Sequence, residues 1–170
     1  GTAREVGMPV VHVTGLPDSE SGVTGWATAN SGNRSGYLGS SSDSGNKRKR
    51  SPEMFDIVEE LAPIEGEAFL RKASPSPFYG TPLLGHLNEL GVDTLIVAGE
   101  STSGCVRASV VDACASRFKV VVAEECVFDR HEATHALNLF DMHYKYADVM
   151  ALGEIQGWMH EWQAPEGYGI

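Results

Sequence analysis

The sequence predicts an α/β domain: a mostly parallel, doubly wound sheet covered by helices on both faces, three layers in all. Two observations carry that prediction. Short runs such as Thr94-Leu-Ile-Val-Ala98 and Val120-Val-Val-Ala123 are apolar throughout, as strands buried on both faces are. Between such runs lie stretches with apolar residues at helical spacing, and strands alternating with helices build βαβ units.

Taken in order, Pro9 to Val13 reads as a strand introduced by the Gly7-Met8-Pro9 break. Gly15 to Arg50 is rich in Gly, Ser, Asn and Asp and has little periodicity. It is long for a connection in a compact domain and is expected to be a functional or oligomer-contact excursion. Glu67 to Lys72 is a short strand after the turn-like Pro63-Ile-Glu-Gly66. Pro82 to Leu90 is a helix with proline in its first turn and glycine just past its end. Strand 94–98, helix 105–117 and strand 119–123 follow, then a helix from about Glu132 to Tyr144 and a strand from Asp148 to Ala151. In such sheets sites form outside the carboxyl ends of strands, and Lys72, Cys105 and Arg130 each follow a strand end.

Bulk properties bound the partners. The 170 residues suit one domain, 1–170, with a sizeable core. A net charge of −10 argues against nucleic acid or an anionic membrane as partner. The Lys47-Arg-Lys-Arg50 cluster reads as a solvated loop. No apolar run approaches the roughly 20 residues of a membrane span, and the first residues lack the pattern of a secretory signal.

Three cysteines without Cys-x-x-Cys spacing argue against a disulfide framework or a zinc site and for a reducing, cytoplasmic compartment. Cys114 and Cys126 read as small buried hydrophobes. Cys105 differs in its setting. It lies in Gly99-Glu-Ser-Thr-Ser-Gly-Cys-Val-Arg107, a strand-to-helix turn, where the helix N-terminus favours a thiolate and free backbone N–H groups could hold an oxyanion. His131 and His135 stand at i, i+4, a spacing that can bind metal, but no further ligands lie nearby and neither metal nor cofactor is expected.

The run Lys72-Ala-Ser-Pro-Ser-Pro-Phe78-Tyr-Gly-Thr-Pro-Leu83 resembles the lysine motif of the isochorismatase-like cysteine hydrolases, and Gly99 to Cys105-Val-Arg-Ala-Ser109 resembles their nucleophile motif. The segment from Asp129-Arg-His-Glu-Ala133 through Asn138-Leu-Phe-Asp141 to Lys145-Tyr-Ala-Asp148 is most similar to the branch containing N-carbamoylsarcosine amidase and maleamate amidase. The resemblance implies the doubly wound αβα fold of that superfamily. It implies that Cys105 is the nucleophile and that Lys72 favours its anionic form through an adjacent positive charge. Ser101 and Cys105 would supply the oxyanion-hole N–H groups, with a cis Glu100–Ser101 peptide. Arg130 would bind a substrate carboxylate as a bidentate fork, with Thr102 adding a hydroxyl contact and Phe78 an apolar wall.

One family feature has no counterpart. The superfamily's triad includes an aspartate at the end of the first strand, whereas Thr2 to Val13 resembles the end of the first family helix followed by the second strand. Asp18 lies in the next loop and does not match. The chain is therefore expected to be a domain lacking its first strand, with the strand and its aspartate present in the whole molecule, because unpaired buried strand edges are not tolerated. The resulting expectation is a cysteine-dependent amidohydrolase that releases ammonia from a small carboxylate-bearing amide or N-carbamoyl compound through a covalent acyl-enzyme. The alternatives are a nicotinamidase-like or ureido-acid hydrolase, or a non-catalytic ligand-binding relative if the aspartate is absent altogether. A homo-oligomer, dimer or tetramer, is expected, with Trp158 and Trp162 either in a subunit contact or covering the core.

Overall fold

A computed structural model describes residues 1–16 and 52–164. Asp18, Lys47 to Arg50 and almost all of the 15–50 excursion lie outside the described residues. The chain runs α1 (Thr2–Val6), β1 (Val11–Gly15), two 3-10 turns (Pro52–Phe55 and Glu59–Leu61), β2 (Ala68–Lys72), α2 (Leu83–Glu89), β3 (Thr94–Glu100), α3 (Arg107–Ala115), β4 (Lys119–Phe128), α4 (Glu132–Lys145), β5 (Asp148–Met150) and α5 (Leu152–Glu161). Every strand pairing is parallel, as the alternation of strand and helix predicts. Among the described residues the strands form two sheets rather than one, β1-β2 and β3-β4-β5.

The pleat of β4 divides the core. Successive strand side chains point to opposite faces. Val120 and Val122 therefore join Leu83, Leu87, Val106, Val110, Ala113, Leu139 and Met142 on the side covered by α2, α3 and α4. Ala123 and the flanking Val121 pack on the other side with Ile155 and Met159 of α5 and with Ala3 and Val6 of α1. Three layers result. Val11 and Leu70 from the smaller sheet and Leu95 and Val97 from the larger one pack against the same first cluster.

Two elements depart from expectation. β4 does not stop at residue 123: its register with β3 jumps from Val97↔Val122 to Gly99↔Val127. The intervening Glu124 and Glu125 are exposed, and the strand re-enters the core at Val127. Gly99, at φ 121 beside this jump, occupies a left-handed conformation that favours glycine. Helix α5 was not anticipated; Gly153 and Gly157 interrupt an otherwise helical pattern. Trp158 on that helix is exposed, while Trp162 just beyond it is half-buried. Among the described residues no helix is long and apolar enough to cross a membrane.

Charged groups tie neighbouring elements together. Asp141 of α4 accepts from Arg107 of α3 at 2.5 Å and also pairs with Lys145. At the other end of the molecule, the nearly buried Glu67 carboxylate accepts from Arg4 Nε at 2.7 Å and Nη2 at 2.9 Å, from His12 Nε2 at 2.8 Å and from the Ile64 N–H at 3.0 Å. It joins α1, β1 and the loop before β2. The Arg4 guanidinium above all holds the Glu67 carboxyl at about 2, against an ordinary value of 4.5. A folded value below the unfolded one means the stabilisation is complete above the unfolded value and is lost as pH falls through the folded one. Glu67→Gln is therefore expected to lower the urea midpoint near neutral pH. The gap from the parent chain should stay constant down to about pH 4.5 and close progressively toward about pH 2. A gap independent of pH across that window would contradict this account.

Candidate active site

β2 delivers Lys72 to the carboxyl end of the smaller sheet. Its Nζ donates to the Ser74 carbonyl at 3.0 Å, to the Pro75 carbonyl at 2.8 Å and to Cys105 Sγ at 3.2 Å. Three acceptors match the three N–H bonds of an ammonium group. The loop that supplies the carbonyls is braced by its own hydroxyls. Ser74 Oγ donates to the Ser76 and Tyr79 carbonyls at 2.6 and 3.0 Å, and Thr81 Oγ1 donates to the Pro77 carbonyl at 2.5 Å. Prolines at 75, 77 and 82 restrict the same stretch further. The lysine is thus aimed by a stiff loop, and its positive charge lies against the sulfur.

β3 delivers Cys105 to the carboxyl end of the larger sheet. The strand ends at Glu100, the Glu100–Ser101 peptide is cis, and Thr102–Val106 forms one wide helical turn kinked at Gly104 before α3 begins. The Gly104 and Val106 N–H groups both donate to the Ser101 carbonyl, at 2.9 and 3.2 Å. A Cβ on Gly104 would lie 2.6 Å from Ser101 Oγ, so a side chain there would require that hydroxyl to turn away. Ser109 Oγ donates to the Cys105 carbonyl at 2.6 Å and fastens the turn to the helix behind it.

A carboxylate anchors the turn from the next strand. Asp129, just past β4, accepts through Oδ2 from the Ser103 N–H at 2.7 Å and the Ser103 hydroxyl at 2.6 Å, and through Oδ1 from the Arg130 N–H at 2.8 Å. The Ser103 hydroxyl, then the Ser103 N–H, holds Asp129 below the usual carboxylate range. Behind the turn, Thr102 Oγ1 and His135 Nδ1 of α4 share a hydrogen bond of 2.8 Å.

The anticipated residues fall into place unevenly. Lys72 and Cys105 meet, with Ser101 and the Cys105 backbone in the same turn. Arg130 is exposed, one residue from the carboxylate that anchors that turn. Thr102, expected to contact substrate, is instead fully buried, with its hydroxyl engaged by His135. Phe78 is half-buried and packs against Phe118, ring centroids 6.1 Å apart, so its ring also serves the core. Cys114 and Cys126 are half-buried against the two clusters. Among the described residues no three His, Cys, Asp or Glu side chains gather as metal ligands would. Sequence reasoning missed Asp129 and His135 as anchors. No local signal marked Asp129, because its partner Ser103 lies 26 residues away in the chain.

The chain is 45% identical over 111 residues to maleamate amidohydrolase of Pseudomonas putida KT2440, covering 60% of this chain and 52% of that protein. It is 39% identical over 93 residues to N-carbamoylsarcosine amidase of an Arthrobacter species, covering 55% of this chain and 35% of that protein. The match thus extends over about half, or less, of these relatives' own lengths. A crystal structure of an isochorismatase family protein from Desulfovibrio vulgaris Hildenborough superposes with a TM-score of 0.72 at 28% identity, covering 93% of this chain and 78% of that one. The isochorismatase domain model matches residues 1–154, from α1 into α5. The chain belongs to the isochorismatase family.

Proposed function

We propose that this chain carries the nucleophile half of a cysteine amidohydrolase acting on a small amide or N-carbamoyl compound that bears a carboxylate. The observation that carries the reading is the 3.2 Å approach of Lys72 Nζ to Cys105 Sγ at the shared carboxyl end of two parallel sheets. An ammonium there stabilises negative charge on sulfur and on the atoms the sulfur attacks.

A base takes the thiol proton, and the Cys105 sulfur attacks the amide carbon. The carbonyl oxygen becomes an oxyanion that accepts from the Ser101 and Cys105 N–H groups. The C–N bond then breaks, and ammonia departs with the proton the base had taken. Water, deprotonated by the same base, adds to the thioester carbon, and the C–S bond breaks to return the thiol. Arg130 pairs with the distant carboxylate as a planar fork.

The base in this proposal is a carboxylate on a strand seated between β1 and β3. Three features support that assignment. Neither strand has a partner on its second edge among the described residues. All of Val11–Gly15 is only half-buried, and Ala98 in the middle of β3 is exposed. Asp129, the carboxylate bonded to the turn, is already occupied by Ser103 and the Arg130 N–H and does not point to Cys105 as a base would.

Ammonia release by the whole protein from maleamate, N-carbamoylsarcosine, an ureido acid and nicotinamide tests the reading. Cys105→Ala is expected to reduce turnover by at least about 1,000-fold, and iodoacetamide should alkylate Cys105 well before Cys114 or Cys126. Uniform slow labelling of all three would sink the nucleophile assignment. Arg130→Ala should raise KM for the carboxylate-bearing substrates by about 10- to 100-fold and leave nicotinamide turnover unmoved; equal losses on both would remove Arg130 from carboxylate binding. Asp129→Ala should lower kcat by about 100-fold through a misplaced turn, and slow Cys105 alkylation, with the far-UV spectrum unchanged. Unaltered alkylation would show that the turn holds itself.

A further inference from the structure

Helix α4 holds the turn before α3 at both of its ends. Past the far end, Arg107 donates to Asn138 Oδ1 at 3.3 Å and pairs with Asp141 Oδ2 at 2.5 Å. At the near end, Thr102 Oγ1 meets His135 Nδ1 at 2.8 Å. Thr102 is fully buried. A hydroxyl taken wholly out of water needs a partner, and His135 supplies it. Leu139 and Met142 bury the inner face of the same helix, so His135 reaches the turn from a fixed support.

What this hold controls depends on its place in the chain. Ser101 lies between Glu100, which β3 pairs with Phe128 of β4, and Thr102, which His135 grips. The Ser101 carbonyl is itself held by the Gly104 and Val106 N–H groups. The direction of the Ser101 N–H follows from these fixed points. The sulfur does not share them. Cys105 is fastened to α3 through Ser109, and Lys72 is aimed by the Ser74 and Pro75 carbonyls. Asp129 grips Ser103, nearer to Cys105. We infer that the two anchors divide the turn between them. Asp129 sets the Cys105 end, and His135, acting through Thr102, sets the Ser101 N–H that receives the oxyanion. His135 is thus a positioning residue for charge stabilisation, an inference that rests on the proposed roles of Cys105 and Ser101. Its ring can be removed without emptying the core, because it is half-buried and forms one wall of an open cleft with Glu124, Phe140 and His143.

Turnover and alkylation of the whole protein test the division, because they read different ends of the turn. Iodoacetamide loses iodide as the sulfur bonds to its carbon, and no oxyanion forms. Turnover passes through the oxyanion. His135→Ala and Thr102→Val are each expected to lower kcat by about 10- to 100-fold, less than the outright loss of a donor. KM and the rate of Cys105 alkylation should stay within about twofold of the parent. Thr102→Ser keeps the hydroxyl and should retain kcat within about threefold. The double variant should fall no further than the lower single one, since both changes break one hydrogen bond. Urea midpoints check that each variant is folded; if Thr102→Val is not, His135→Ala beside Thr102→Ser carries the test. A parent-like kcat in His135→Ala overturns the proposal, and so does a kcat that falls together with alkylation. Losses that multiply in the double variant overturn the route through Thr102. Turnover that survives Cys105→Ala would instead overturn the reading of the nucleophile.

Discussion

The contact between Lys72 Nζ and Cys105 Sγ joins residues 33 apart in sequence and belonging to different sheets. Nothing in the hydrogen-bonded ladders holds that distance, because β2 pairs with β1 and β3 pairs with β4. What holds it is the apolar cluster common to both sheets, in which Val11 and Leu70 pack against the group that includes Val106, Val110 and Val122. Close packing transmits small displacements through such a core. Loss of volume under the α3 turn therefore reaches the ammonium–sulfur distance directly. The site is accordingly a property of the core, although Lys72 ends a strand and Cys105 sits in the helical turn before α3.

The Cys105 turn is restrained from three directions by chemically different means. Lys72 reaches it from the front with a charge. Asp129 holds the Ser103 N–H and hydroxyl at the end of β4, and His135 holds Thr102 from behind. Because Asp129 also accepts from the Arg130 N–H, one carboxylate fixes both the turn that carries Cys105 and the backbone that carries Arg130. Protonating it removes an acceptor from the turn, and its depressed titration keeps it ionised at neutral pH.

The parts legible in the sequence are those whose causes are local. The runs at 94–98 and 120–123 are β-branched and bounded by turn residues, so both strands appear where expected. The Gly/Ser setting of Cys105 marks a strand-to-helix turn. Less legible are features that depend on a distant partner. The continuation of β4 past Glu124 and Glu125 requires β3 to skip register at Gly99. Helix α5 survives Gly153 and Gly157 because Ile155 and Met159 find the underside of β4 and the apolar side of α1. Asp129 beside Arg130 reads locally as an ion pair, and only the fold brings Ser103 across to it. Thr102 reads as a ligand contact for the same reason: its partner His135 is 33 residues away.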